Sequence, residues 1–262
     1  MIKNKKLLPV SIAVVIIIYL LLPVVFTLIY SFSTNWIKTV IPSGFSIRAY
    51  YNLLNTSEFW PAVSKSFILS IITTIVSLLV FVPLTFYIGV FDKKLQKYLN
   101  FISILPYVIP AIILVSGLVQ LYGNSPIPKI VILILALVST TMPIAYQSLI
   151  NNYISKDFRS LLEQAKILGD SSVTAFFKII LPNISVSVLV STLLIFTTAF
   201  GDYVLTNLLL GGNYETLKIY MYRLMSTNGS ATSVLTVVYF VFLVLMSVLL
   251  IWIENKGRER DK

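Results

Sequence analysis

Long apolar runs broken by short polar stretches fill this chain. A helix needs about 20 mostly apolar residues to cross the hydrocarbon core of a bilayer. Six stretches qualify: Leu7 to about Phe32, about Ser66 to Phe91, about Leu99 to Tyr122, about Ile130 to Ile150, about Ile184 to Leu210, and about Ser233 to Ile253. The pattern predicts an all-α fold, a polytopic membrane helical bundle of six transmembrane helices, with residues 1–262 forming one membrane domain. Lys3, Lys5 and Lys6 precede the first run, as in a secretory leader. The run is longer than the about 7–15 apolar residues of a leader core, and no small-x-small cleavage site follows, so we read it as a retained helix.

Composition strengthens this picture. Hydrophobic residues make up 57% of the 262 positions and charged residues 11%, against about 25% charge in soluble domains. In water so few charges would leave a large apolar surface uncovered, so the excess is expected to face lipid. Cysteine is absent, which excludes disulfides, thiol nucleophiles and thiolate metal sites. Histidine is absent too, removing the usual general base and the commonest metal ligand. With few acids besides, no catalytic constellation is visible. No cofactor or metal is expected, and the chain is not expected to be an enzyme.

The net charge of +10 could suggest nucleic acid, but its distribution argues otherwise. With the N-terminus placed inside, the inner segments hold Lys3, Lys5, Lys6, Lys93, Lys94, Lys97, Lys156, Arg159, Lys166, Lys178, Lys256, Arg258, Arg260 and Lys262, 14 in all. The outer segments hold 6: Lys38, Arg48, Lys65, Lys129, Lys218 and Arg223. Excess Lys and Arg marks cytoplasmic loops. Both termini are therefore expected in the cytoplasm, and no nucleic-acid partner is needed to explain the charge.

Smaller features fit a bundle. Trp36, Tyr50, Tyr51, Phe59 and Trp60 in the first outer segment suit a membrane interface. Ser66, Ser70, Thr73 or Thr74, and Ser77 form a stripe of small residues on the second run, which reads as a packing face. Pro23, Pro83, Pro106, Pro110 and Pro143 lie within or beside spans and can kink them. No internal repeat is visible.

The inner segment 151–182 differs in character. Phe158, Leu161 or Leu162, Ala165 and Leu168 recur at helical spacing, while Arg159, Ser160, Glu163, Gln164 and Lys166 occupy much of the rest. This predicts a helix too short and polar to span, lying along the inner surface, with Gly169 as its C-terminal cap. On periodicity alone it is an interfacial amphipathic helix. A second run, Ser171 to Ile180, is expected to end at Pro182, before the fifth span.

Residue identities add more. The segment reads Glu163-Gln164-Ala165, three residues, Gly169, nine residues, Ile179-x-Leu181-Pro182. It resembles the cytoplasmic signature of permease subunits of binding-protein-dependent ABC importers, Glu-Ala-Ala-x3-Gly-x9-Ile-x-Leu-Pro, departing only at Gln164. The six-span layout, Pro106-x3-Pro110 and Phe200-Gly201-Asp202-Tyr203 resemble the permeases of the polyamine, opine, phosphonate and iron group.

The resemblance implies that residues 1–262 are one ABC transporter transmembrane domain of a bacterial-type plasma (inner) membrane, and that 151–182 is a cytoplasmic coupling loop. It implies a separate cytoplasmic ATP-binding subunit, a second permease as hetero- or homodimer, and an extracytoplasmic substrate-binding protein. Glu163 would lie on the polar side of the coupling helix, Ala165 would allow close approach, Gly169 would make the turn, and Ile179, Leu181 and Pro182 would fix the exit into the fifth span. Gln164, a long polar residue, fits a helix surface. A polyamine of the spermidine or putrescine type is the favoured substrate, with phosphonate or iron as alternatives. The chain contains no G-x4-G-K-[S/T] phosphate loop, so ATP hydrolysis is expected from the partner.

Asp202 lies at membrane depth in the expected fifth helix, where a carboxylate normally faces an interior or a water-filled path. At about 100° per residue, Ser187, Ser191, Thr198 and Asp202 fall within about 60° of one another, a polar stripe that marks a candidate translocation path. The competing reading has Asp202 bonding a neighbouring helix or a basic side chain. The outer segment Gly211 to Ser230 helps dock a binding protein if the resemblance holds, and is otherwise a solvated loop. An ion-coupled secondary transporter is the alternative function. It would favour several intramembrane acids and a repeat.

Overall fold

The computed structural model describes residues 7–34 and 44–260. Expectations for Lys3, Lys5, Lys6, Trp36, Lys38 and Lys262 lie outside the described residues, as do those for the side chains of Arg258 and Arg260. The described chain is helical nearly throughout, its one β feature an isolated antiparallel bridge between Ser33 and Phe45.

Four helices are each long and apolar enough to cross a bilayer: α1 (Leu7–Phe32), α3 (Phe59–Phe91), α7 (Lys129–Ser155) and α14 (Gly229–Arg260). The short α2 (Arg48–Leu54) follows α1. Two bent helix pairs among the described residues raise the number of spans to six if each pair is one span. The all-α membrane architecture expected from the hydrophobic pattern is therefore present, but the third and fifth spans are not the continuous rods expected.

The third breaks into α4 (Lys93–Ile102), α5 (Leu105–Val108) and α6 (Ala111–Tyr122), with a 91° bend between Lys93–Val108 and Ala111–Tyr122. Proline explains the joints. Pro106 lies in the first turn of α5 and Pro110 is the extended residue before α6. Proline lacks an N–H, suits helix starts, and drives the residue before it out of the helical region; Ile109 is indeed extended, at ψ 116°. Asp92 begins α4 by accepting from the amides of Lys94 and Leu95 at 3.0 and 2.9 Å.

The fifth follows α8 (Phe158–Ile167) and α9 (Ser172–Ala175). A π turn (Phe176–Ile180) and α10 (Leu181–Asn183) lead to a 74° bend before α11 (Ser185–Phe200). Pro182 does not end the preceding run as expected. The run widens into the π turn, Leu181 N bonding Phe176 O, and continues past the proline to Asn183. A π turn lengthens the ladder by one residue, one of the ways a helix absorbs a local conflict. The expected fifth helix to Leu210 instead stops at Phe200, and α12 (Val204–Leu210) is separate. A 3-10 turn (Gly211–Asn213) and α13 (Leu217–Thr227) precede α14.

The chain divides into two compact units. The first comprises Met1–Pro61 and Tyr220–Phe242. Within it, Ser31 Oγ and Tyr50 Oη share a 2.7 Å hydrogen bond, and Tyr50 stacks on Phe32. Trp60 stays exposed while its Nε1 donates to Leu54 O at 3.0 Å, which suits an interfacial aromatic. The second unit comprises Ala62–Ile219 and Leu243–Lys262. One of its cores joins Ile88, Tyr146, Leu149, Tyr153, Leu162 and Ile184; another joins Leu69, Val115, Leu133, Leu137 and Leu205. The small-residue stripe on α3 is a packing face, as expected: Ser66, Ser70, Thr73, Thr74 and Ser77 are all buried. Ser66 Oγ accepts from Leu217 N at 2.8 Å, and Ser77 Oγ meets Thr141 Oγ1 at 3.3 Å.

Candidate functional site

Helix α8 forms because both ends are capped. Asp157 accepts from the Ser160 amide at 3.3 Å at its start. At its end Gly169 adopts φ +95°, Gly169 N donates to Lys166 O, and Asp170 N donates to Ala165 O, both at 3.0 Å. That pair of bonds is a Schellman closure, and the left-handed residue it needs is the glycine that the sequence marks as the cap. Ser171 then starts α9, its Oγ accepting from Thr174 N at 3.1 Å. Lys178 Nζ bonds Asp170 Oδ1 at 3.0 Å, bridging the turn to the π segment.

The two faces of α8 differ sharply. Phe158, Leu162 and Ala165 are buried in the core with Ala175 and Ile180. The Phe158 ring lies 5.1 Å from that of Tyr153 on α7. The other face is polar: Glu163 Oε1 pairs with Arg159 Nε at 3.1 Å, and Gln164 Nε2 donates to Ser160 Oγ at 3.1 Å, all exposed or nearly so. Two placements correct the expected periodicity. Leu168 does not join the buried face, because as C-cap it lies where the chain turns away; it is 86% exposed, and Ile167 beside it 85%. Ala165 is buried, so the close approach its small side chain permits is inward, toward the protein's own core. Ile179 and Leu181 pack against that core, and Pro182 is exposed beyond them.

Ser187, Ser191 and Thr198 keep their helical spacing on α11, and Asp202 lies outside that helix. Ser187 Oγ accepts from Asn152 Nδ2 and so ties α11 to α7. Ser191 is fully buried, its hydroxyl without a hydrogen-bond partner among the described residues. Thr198 is exposed, its hydroxyl turned back to Leu194 O at 2.8 Å. Asp202 lies beyond the end of α11, because Gly201 N and Asp202 N close that helix on Thr197 O and Ala199 O. Its carboxylate accepts from Thr206 N at 2.8 Å, Thr206 Oγ1 at 2.7 Å and Leu205 N at 3.4 Å, serving the free amides that open α12. The helix that carries the first three ends at Phe200, so the stripe does not continue to Asp202.

Two features escaped sequence reasoning. The exposed Ile167–Leu168 pair was visible as apolar residues running up to the capping glycine. Phe67, Phe196 and Phe200 form an aromatic cluster between α3 and α11, with centroids 5.1–5.8 Å apart; its signal was the i, i+4 spacing of the last two.

The described residues thus form membrane-length helices with a capped, half-exposed helix, α8, between α7 and α11. The family described as binding-protein-dependent transport system inner membrane component matches residues 81–258, about two-thirds of the chain, and the chain belongs to that family. A spermidine/putrescine transport system permease PotC homolog of Mycoplasma pneumoniae is 27% identical over 77% of this chain and 74% of its own. The spermidine/putrescine permease PotB of Haemophilus influenzae is 26% identical over 79% of each chain. A chain of a bacterial ABC transporter involved in the import of the acidic polysaccharide alginate superposes with TM-score 0.68 at 14% identity, covering 94% of this chain and 95% of that one, which shows the shared fold. The chain is thus a multi-pass inner-membrane permease of an ABC importer. It is not itself an enzyme: ATP hydrolysis belongs to a separate ATP-binding subunit, and a substrate-binding protein completes such systems. This membership displaces the ion-coupled carrier.

Proposed function

We propose that this permease imports a polyamine of the spermidine or putrescine type, with α8 as the helix that engages the ATP-binding subunit. The observation that carries the coupling role is the two-faced α8: its buried face locks it to the ends of the spans, while Glu163, Gln164, Ile167 and Leu168 point outward. A capped helix fixed on one side transmits a rigid-body displacement, and an exposed apolar pair beside an acid and an amide suits a protein groove. Gly169 makes the turn, and Ile179, Leu181 and Pro182 carry the motion through the π turn into α11. The relatives' names support the substrate class. A 2-aminoethylphosphonate permease relative of Salmonella typhi covers only 44% of the chain, and we rank that substrate second.

A second permease copy or partner completes the pathway, since one bundle lines a path on one side only. Both termini and the 151–182 loop face the cytoplasm. Of the stripe residues we keep only Thr198, which is exposed, for the translocation path, and assign Ser187, Ser191 and Asp202 to helix packing and capping. The test is ATP-driven uptake of labelled putrescine and spermidine by the reconstituted complex. Ile167→Glu with Leu168→Glu should abolish uptake and subunit association while the permease stays folded. Uptake that persists without the ATP-binding subunit refutes the proposal.

A further inference from the structure

The segment Lys93–Val108 lies at 91° to α6. Val115 of α6 shares a buried core with Ile132 and Leu133 of α7 and Leu205 of α12. The segment Lys93–Val108 runs in a different direction from α6 and carries many exposed side chains. One side of α4 is held by protein: Leu99 packs on the core, and Tyr146 Oη donates to Gln96 O at 3.5 Å. The opposite side is divided. Lys93, Lys97 and Lys94 fall within about 100° of arc, with Phe101 beside Lys94 at its edge, and Tyr98, Ile102 and Leu95 occupy about the next 60°. All seven are exposed, and the apolar flank continues through Ile104, Leu105, Tyr107 and Val108.

The lysines are unpaired. The acid beside them in sequence, Asp92, spends its carboxylate oxygen on the amides of Lys94 and Leu95, and no ion pair among the described residues involves Lys93, Lys94 or Lys97. Three free ammonium groups next to an apolar flank, on a helix bent 91° away from α6, complement an anionic headgroup layer above acyl chains.

We propose that α4 and α5 are an interfacial anchor that binds anionic phospholipid headgroups of the leaflet on the coupling-loop side. The occupant is lipid rather than protein because basic and apolar residues are sorted side by side along the exposed face, as a layered interface requires. The anchor also adjoins the coupling loop: Phe86, near the end of α3 that leads into α4, lies 4.8 Å from Phe176 of the π turn.

The test uses the full-length chain in bilayers of phosphatidylcholine with phosphatidylglycerol. Because the chain lacks cysteine, single nitroxide labels can be placed without removing native residues. Labels at Tyr98→Cys and Ile102→Cys should be accessible to oxygen and shielded from an aqueous nickel chelate, and a label at Lys93→Cys the reverse. Spin-labelled phosphatidylglycerol should be enriched over phosphatidylcholine around the protein. The enrichment should fall about threefold or more in K93Q/K94Q/K97Q and in 1 M salt, where the screening length drops to about 3 Å. Lys65→Gln, at the other end of the unit, should leave it unchanged. Equal affinity for the two lipids, enrichment indifferent to the triple variant, or labels at 98 and 102 that face water or are closed to both probes, as under a protein partner, would overturn the proposal. The depth labels and the salt series still decide the matter if the triple variant fails to insert.

Discussion

Two single residues pose questions of role that substitution answers. Asp202 lies where a membrane-depth acid invites a path reading, yet its carboxylate is engaged by Thr206 and Leu205. Asn caps helices about as well as Asp, whereas Ala loses the cap at a cost of about 1 kcal/mol. We therefore expect Asp202→Asn to keep both thermal stability and uptake, and Asp202→Ala to lower the unfolding midpoint. Uptake lost in a stable Asp202→Asn protein would restore a charge-dependent path role. Gly169 is the complementary case. A Cβ there would meet no atom within 4 Å, so the demand is purely conformational, at φ +95°. A side chain in the left-handed region costs roughly 1–2 kcal/mol, less for Asn. Gly169→Ala should lower the unfolding midpoint, and Gly169→Asn should lower it less, with ATP-driven uptake following the same order. This glycine was legible because a cap follows from local geometry alone. The role of Asp202 was not, because it depends on where α11 ends.

At the scale of elements, the hydrophobic pattern found the bodies of α1, α3, α7 and α14. It failed where an apolar run is bent, since a period of 3.6 says nothing of direction. The breaks near Pro106 and Pro110 lie in a run as apolar as the straight ones, and membrane helices often carry prolines without breaking. Helix α4 went unrecognised because its apolar flank merges into the third run. How closely elements pack was also hidden. At Gly89 a Cβ would lie 2.5 Å from Cβ and Cγ of Tyr153, so α3 and α7 approach there only because Gly89 has no side chain. Gly89→Ala should destabilise by about 1–3 kcal/mol through overpacking. Tyr153→Ala, which opens that space, should make the double variant less destabilised than the two single changes combined, as contacting positions are not additive. Denaturant or thermal unfolding of the four proteins measures this coupling, and strict additivity would mean that the helices shift apart instead.

Across the whole molecule, the sorting of charge turns a sequence count into geometry within the second unit. Gly89 of α3 and Phe158 of α8 both meet Tyr153 of α7, and Phe86 meets Phe176, so the α3–α4 junction and the segment 151–182 share one end. That end carries Lys93, Lys94, Lys97, Lys156, Arg159, Lys166 and Lys178. At the other, Tyr214 Oη donates to Lys65 O, the Lys65 ammonium lies 5.6 Å from the Tyr214 ring, and Tyr214 packs on the same core as Ile130, which follows Lys129 at the start of α7. Insertion keeps the richer Lys and Arg end in the cytoplasm. Because a cysteine-free chain takes single thiol probes cleanly, Lys97→Cys and Lys166→Cys should react with an impermeant maleimide only in inside-out vesicles, and Lys65→Cys and Lys129→Cys only in right-side-out ones. Labelling of Lys166→Cys from the outside would place the loop away from any cytoplasmic ATPase, and the coupling role of α8 would fall with it. Labelling of Lys65→Cys from the inside would instead fault the assignment of the outer end.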